Sequence, residues 1–428
     1  MLFGGSVRLA DNVRSIRLSN GLMPRELSSI CKNEFTYVNF TVHFTTMYSR
    51  LLETPTESLL LFGPRGVGKT TWIRERFPEA VVYDLLNSRE VLRLERDPHL
   101  IFDELKTLPR GQWVVLDEVQ RVPSLLNEVH SLIENFGLRF VLCGSSARKL
   151  KRSGANLLAG RAKMVHFFPL VSAEMGEDFD LKTAMVQGTL PLAVTGTDQI
   201  GFLTTYAEIY LNEEIRAEAL TRNVGAFSRF LEIAARQNGQ VTNLSNISRE
   251  AGVSRSTVQN YFDILVDTLI GYWVSPWKLK RSTKQVVHPK FYLFDTGVAR
   301  TLSGRVPYPP TQEEAGPLLE TLIFNEVRAF IAYHQLRYPV HFWRNHDGAE
   351  VDFLCETQKG FVAVEVKATG MWQKRFSRGL HRFRSEMGSD ACMTYGVYQG
   401  ERRALVDDVL LLPVAEFLTM LWGGKIIE

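Results

Sequence analysis

Two groups of residues have the types and spacing that chemistry needs. The first is Gly63-Pro64-Arg65-Gly66-Val67-Gly68-Lys69-Thr70, which fits G-x-x-x-x-G-K-[ST] between an apolar run and a helical stretch. Glycines at these places let backbone N–H groups turn inward around phosphate oxygens, while a helix starting there points its positive end at them. Lys69 would reach the β and γ phosphates, the Thr70 hydroxyl would bind Mg²⁺, and the stretch through Thr71 would hold a nucleotide. Farther on, Trp113-Val114-Val115-Leu116-Asp117-Glu118 is an apolar strand ending in two acids. Asp117 suits the Mg²⁺ shell and Glu118 suits orienting an attacking water, so the pair points to hydrolysis where a single acid would point to binding. A further strand runs into Cys143-Gly144-Ser145-Ser146, where Ser145 either senses the γ-phosphate or the water, or belongs to a plain turn.

The second group is Glu350-Val351-Asp352 together with Glu365-Val366-Lys367. Side chains alternate along a strand, so in Phe361 to Lys367 the residues Ala363, Glu365 and Lys367 share one side. Asp352 and Glu365 would hold a divalent metal and Lys367 would steady a phosphate or activate water. The preceding helix offers Glu320 and Glu326 as a further acid.

The elements that must position these residues follow from apolar patterning. Leu59 to Phe62, Val81 to Tyr83, Trp113 to Leu116, Phe140 to Leu142 and Met164 to Phe168 read as five buried strands alternating with helices, hence a parallel α/β sheet. From about Phe202 to Ile270 the period turns helical, with Leu231, Ala234 and Ala235 on one face. Leu244, Ile247 and Ala251, the Gly252-Val253 turn, then Ser254 capping a helix that buries Val258, Phe262 and Leu265 trace a helix-turn-helix. Its second helix leaves Arg255, Ser256, Gln259 and Asn260 outward, placed either for a major groove or for protein packing. Beyond Thr311 the order is helix, three strands, helix, strand. The chain thus divides into 1–46, an appendage or an upstream translation start, then 47–200, 201–310 and 311–428.

Composition narrows the class. The chain has 428 residues, 45% hydrophobic and 23% charged, which is the balance of a globular protein. Fifty basic residues against 47 acidic ones leave a net charge of +3, so any case for nucleic acid rests on local clusters. One is Lys278 to Arg305, with Lys278, Lys280, Arg281, Lys284, Lys290, Arg300 and Arg305 against the single acid Asp295. Another is Lys367 to Arg384, where Arg375, Arg378 and Arg382 recur at helical spacing with no acid among them. Four cysteines without a CxxC pair argue against a disulfide scaffold or a cysteine metal site, and no apolar run reaches membrane-spanning length. A cytoplasmic setting is expected.

The glycine loop, the acidic pair and the Gly160-Arg161 step into Phe168-Pro169-Leu170 resemble a prokaryotic AAA+ ATPase. That resemblance implies ATP and Mg²⁺ as ligands and an arginine at the γ-phosphate, for which Arg148 and Arg161 are alternatives, in cis or from a neighbouring subunit of a homo-oligomer. The acids and lysine of the last segment resemble the PD-(D/E)XK nuclease fold. With Gly316-Pro317-Leu318-Leu319-Glu320 and Asn325-Glu326, the segment looks like the C-terminal domain of unknown function 4143. The fold expected is therefore α/β: an AAA+ parallel sheet, a winged helix-turn-helix-like domain and an αβββαβ domain. The function expected is ATP hydrolysis coupled to binding of DNA or RNA, with metal-dependent cleavage left open. The alternative is a signalling or scaffolding switch whose last domain only recognises.

Overall fold

The computed structural model describes residues 48–145, 158, 160–211, 223–278, 288–388 and 391–427. The N-terminal 46 residues, Arg148, Lys280, Arg281 and Lys284 lie outside the described residues.

Strands β1 (Ser58–Phe62), β2 (Val81–Asp84), β3 (Trp113–Asp117), β4 (Arg139–Gly144) and β5 (Ala162–His166) make one parallel sheet in the order β2-β3-β4-β1-β5. Along the inner strands alternate residues enter two cores. Leu59, Leu61, Val115 and Val141 pack with Trp72, while Leu60, Phe62, Val114, Leu116, Phe140 and Leu142 face the other side. Both faces are covered, which is why these strands read as continuous apolar runs. The expectation of five buried strands holds for β1, β3 and β4 and needs correction at the rims: Val82 in β2 and Met164 in β5 are more than half exposed, because each lies on an edge strand. Phe167 and Phe168 are buried beyond the end of β5. Helix α1 (Lys69–Arg76) leaves the end of β1, and α2 (Leu125–Phe136) packs beside β4. Since all strands run the same way, the segments after β1, β3 and β4 meet on one rim.

Next come α3 (Val224–Arg236), α4 (Leu244–Ala251) and α5 (Arg255–Asp267). Gly252 ends α4 in the left-handed region and the Ser254 side chain accepts a hydrogen bond from the Thr257 N–H at 3.1 Å to start α5. Leu231, Ala234, Ala235, Ile247, Ala251, Val258, Phe262 and Leu265 are buried as the helical period requires. A hairpin follows, β6 (Gly271–Val274) antiparallel to β7 (Lys290–Leu293), held to α5 by Phe262, Trp273 and Phe291, whose ring centroids lie 4.7 to 4.8 Å apart. Two members of the basic segment are not at the surface: Lys290 and Arg300 are 3% and 1% exposed. The Arg300 guanidinium donates to the carbonyls of Val186, Arg305 and Tyr308, so it is spent on the fold and does not face phosphate.

From Gln312 onward come α6 (Gln312–Tyr333), β8 (Val340–Arg344), β9 (Glu350–Thr357), β10 (Gly360–Lys367), α7 (Arg378–Met387), β11 (Cys392–Tyr398), β12 (Ala404–Val406), β13 (Val409–Pro413) and α8 (Val414–Trp422). Its mixed sheet runs β12-β13-β11-β10-β9-β8. The helix, three strands, helix, strand order of the sequence is present, extended by β12, β13 and α8. Helix α6 starts on a capping box, with Thr311 accepting from the Glu314 N–H and Glu314 accepting from the Thr311 N–H. Its apolar face, including Leu319, Leu322, Ile323 and Phe330, covers the sheet with Val274 and Tyr292 of the hairpin. Among the described residues no helix is long and apolar enough to cross a membrane.

Candidate functional site

The loop between β1 and α1 has the conformation its glycines allow. A Cβ at Gly63 would meet the Phe167 carbonyl oxygen at 2.5 Å, and Gly68 holds φ +92°, which only glycine adopts without strain. The buried Lys69 ammonium donates to the Gly63 carbonyl at 2.6 Å and the Pro64 carbonyl at 2.9 Å. Thr70 and Thr71 are exposed on the first turn of α1, and Thr70 Oγ1 donates to Asp117 Oδ2 at 3.1 Å. A hydroxyl and a carboxylate at that separation suit the hard, oxygen-loving Mg²⁺, so the donor set fits. Burial above all raises the Asp117 carboxyl pKa, with the neighbouring Glu118 adding to it.

Glu118 occupies the left-handed region, φ 58° and ψ 41°, a sparse conformation for a residue with a side chain. The turn brings its carboxylate to the end of β4, where Oε2 accepts from Ser145 Oγ at 3.2 Å and from the Gln120 amide. Gln120 Nε2 also donates to Ser145 Oγ at 3.2 Å, closing a buried triangle. Ser145 therefore holds Glu118, and Gln120 is a member that the sequence did not suggest.

Arg161 is elsewhere. It precedes β5, beside Ser58 at the start of β1, and pairs with Glu134 of α2. Four strand residues, roughly 13 Å at 3.3 Å each, separate that end of the sheet from the glycine loop. The expectation that Arg161 serves this chain's own γ-phosphate is corrected accordingly. Two other residues brace the loop without any motif to announce them. Arg50, buried, donates to the carbonyls of Val67 at 2.6 Å and Phe168 at 2.7 Å and to Tyr333 Oη of α6 at 3.2 Å, and pairs with Glu174 at 2.9 Å. The Tyr206 hydroxyl donates to the Arg65 carbonyl at 3.0 Å.

In the last sheet, Asp352, Glu365 and Lys367 converge as strand alternation requires, with Glu320 reaching in from α6. Lys367 Nζ lies 2.6 Å from Glu365 Oε1 and 3.4 Å from Asp352 Oδ2, which also accepts from the Val366 N–H at 2.9 Å. A second ammonium is present: Lys290 of β7 stands 2.6 Å from Glu350 Oε1, 3.5 Å from Asp352 Oδ1 and 3.8 Å from Glu320 Oε2. Tyr292 Oη donates to Glu320 Oε2 at 3.0 Å. Burial raises the Glu320 pKa to about 7 and that of Glu365 well above the usual carboxylate range. Lys367 and Lys290 hold Asp352 low against the effect of its burial. The expected metal role of Asp352 and Glu365 does not fit this arrangement. Asp352 has both oxygens on lysines, Glu365 has Oε1 on Lys367 and Oε2 buried without a hydrogen-bond partner, and among the described residues no three His, Cys, Asp or Glu are grouped to hold a metal ion. Glu326 is not in the cluster. Six positions along α6 carry it about one and two-thirds turns from Glu320, onto another face. There it accepts from the Ser172 N–H at 2.7 Å, Ser172 Oγ at 2.9 Å and Trp422 Nε1 at 2.6 Å.

Arg375, Arg378 and Arg382 are exposed on and just before α7, while Lys367 is turned into the acid cluster. Arg255, Ser256, Gln259 and Asn260 are exposed on α5.

Comparisons with known proteins agree with the nucleotide loop. Residues 55–176 match the AAA domain family, residues 178–308 the domain of unknown function DUF8612, and residues 315–417 the domain of unknown function DUF4143. The chain joins an AAA-type ATPase domain to a DUF4143 domain. An uncharacterized protein of Mycobacterium tuberculosis is 26% identical over 373 residues, covering 84% of this chain and 81% of that protein. One from Haemophilus influenzae is 21% identical over 285 residues, 62% of this chain and 68% of that protein. Among solved structures, a signal transduction ATPase with numerous domains from Pyrococcus horikoshii, bearing a tetratricopeptide repeat sensor, aligns at 14% identity. The alignment covers 66% of this chain and 46% of that one with a TM-score of 0.21, too loose an overlap to bear on the fold.

Proposed function

We propose that the protein is a Mg²⁺-dependent ATPase of the AAA+ kind that couples nucleotide turnover to binding of nucleic acid, DNA ahead of RNA. The observation that carries the reading is the meeting, on one sheet rim, of the Lys69 loop, the Thr70–Asp117 hydrogen bond and the Glu118–Ser145–Gln120 triangle. Backbone N–H groups of residues 63–70 cradle phosphate oxygens, and Lys69 exchanges two carbonyl acceptors for them. Mg²⁺, held by Thr70 and Asp117, would neutralise charge on the β and γ oxygens. Glu118, aimed by Ser145, accepts a proton from the attacking water.

The middle helices and hairpin act as a winged helix-turn-helix, and the last domain is PD-(D/E)XK-like in fold. Exposed Arg255, Ser256, Gln259 and Asn260 on α5, together with Arg375, Arg378 and Arg382 at α7, supply the surface for phosphates and bases. A second reading, an ATP-dependent switch or scaffold whose last domain does no cleavage, is favoured by the lysine pairing of the acid cluster. The two separate in one experiment: ATP hydrolysis and salt-dependent binding by the full chain with single-stranded, duplex and branched DNA and with RNA. Stimulated turnover supports the coupled ATPase. Replacing Arg375, Arg378 and Arg382 by Ala should weaken binding to every sequence and lower the salt slope by about one for each phosphate left without its arginine. Turnover indifferent to nucleic acid, with no salt-dependent affinity, leaves the switch.

A further inference from the structure

We propose that Lys290 is a built-in cation of the C-terminal acid cluster: its ammonium stands among Glu320, Glu350 and Asp352, so the folded chain keeps these three acids free of metal, and the same pairing pins the β6–β7 hairpin to the last sheet. The inference is independent of the ATPase reading.

Three acidic side chains from two elements face one ammonium. Glu350 and Asp352 come from β9 and Glu320 from α6, at 2.6, 3.5 and 3.8 Å from Lys290 Nζ. Asp352, the residue a metal would need most, has both oxygens committed: Oδ1 to Lys290, Oδ2 to Lys367 and the Val366 N–H. A divalent ion in this space would bring two positive charges against an ammonium already drawn to the same oxygens, so the two cations exclude each other.

Nor is Lys290 a loose side chain that has fallen in. Its side chain is 4% exposed, and its ammonium lies 5.4 Å from the Phe342 ring centroid. Its backbone is fixed on two sides, by Val274 across the hairpin and by an isolated bridge to Val241. Alternation along β7 explains the choice of residue. Phe291 and Leu293 turn into the core shared with α5, while Lys290 and Tyr292 turn to the last domain, where Tyr292 Oη reaches the same Glu320. A strand buried on both faces tolerates a lysine only if carboxylates meet it, because an unpaired buried charge is costly. The cluster supplies them in Glu320, Glu350 and Asp352, and the pairing consumes these three acids, while Glu365 Oε2 stays buried without a hydrogen-bond partner among the described residues.

The test uses the full chain without nucleotide and Mn²⁺ as the probe, with bound ion counted by electron paramagnetic resonance or calorimetry. Wild type and Asp352→Asn should bind Mn²⁺ alike, because no site depends on Asp352. Lys290→Met keeps the apolar stem and removes the charge. It should gain one Mn²⁺ site, at least tenfold tighter than any in wild type, and adding Asp352→Asn should erase it. Lys290→Arg should stay without the site. A wild-type Mn²⁺ site that disappears in Asp352→Asn overturns the proposal, and so does a folded Lys290→Met that gains nothing. Should Lys290→Met fail to fold while Lys290→Arg folds, the pinning half is upheld, and the wild-type comparison still decides the metal half.

Discussion

Lys69 and Lys290 are both buried lysines beside acids, and they differ in what they touch. Lys69 donates to two backbone carbonyls, neutral acceptors that it can leave for a better one. Lys290 is surrounded by three carboxylates. A phosphate competes easily with a carbonyl and poorly with a carboxylate, because the ammonium feels only a dipole from the first and a full negative charge from the second. The glycine loop therefore keeps a cation in reserve for a ligand, whereas the cations of the acid cluster are already committed to carboxylates. Convergence of acids and lysine alone does not make a catalytic centre; uncommitted charge is the further requirement.

The largest effect should come from the loop. Lys69→Met should abolish measurable ATP binding while moving the melting temperature little, since it loses only carbonyl partners. Glu118→Gln should bind ATP as wild type does and lose turnover by about 10²- to 10⁴-fold, the usual worth of general-base catalysis. Equilibrium binding and single-turnover hydrolysis read both. Normal hydrolysis by Glu118→Gln would end its assignment.

The acid cluster should show the opposite signature. Asp352→Ala leaves two buried ammonium groups facing one another with fewer carboxylates, and should lower stability by about 3–5 kcal/mol without altering ATP affinity. Denaturant unfolding of the full chain, with ATP binding in parallel, checks this. A loss of ATP affinity with little loss of stability would invert the comparison.

Glu326 supplies a third case, a carboxylate buried among neutral donors only, and its pKa is pushed up to about 7 by that burial despite Ser172 and Trp422. The folded value lies above the unfolded one, near 4.5. The protonated form is thus favoured in the folded state: its contribution is complete below about pH 4.5 and is lost as pH rises to about 7. The decline should be on the order of 3 kcal/mol. Glu326→Gln cannot ionise, so its stability should fall less than wild type between pH 5 and 8. Parallel pH profiles would show that Glu326 does not titrate there.

What could be read from the sequence was what is local. Gly63 to Thr70 carries its meaning in consecutive residues, and Asp117-Glu118 in the end of one strand, so spacing alone located both. Asp352, Glu365 and Lys367 were placed together by the two-residue period of a strand. Arg50 and Tyr206 were invisible, since their partners in the loop lie 17 and 141 positions away and no motif contains them. A count of charge along the chain places Lys290 in a basic segment and says nothing of the buried strand that holds it. The clue was available: Lys290-Phe291-Tyr292-Leu293 has apolar residues on both faces, as a fully buried strand does, and a lysine there requires acids across from it.

The smallest effect tests how far the loop depends on bracing from outside the sheet. Tyr206 sits well over a hundred positions after Arg65, is buried, and gives its hydroxyl proton to the Arg65 carbonyl at 3.0 Å. Tyr206→Phe keeps the ring against Gly66 and Phe294 and removes the hydroxyl that donates to Arg65. Gly66 itself is exposed, so water can reach this part of the loop and replace the missing donor in part. The stability cost should then be about 0.5–1.5 kcal/mol. Since the loop carbonyl would turn more freely, the backbone N–H groups that bind phosphate would need more ordering on binding. ATP affinity should fall about two- to fivefold, with the hydrolysis rate of bound ATP unchanged. A change in that rate with affinity intact would mean that Tyr206 acts on the Glu118 side of the site, and bracing of the glycine loop would have to be sought in Arg50 alone.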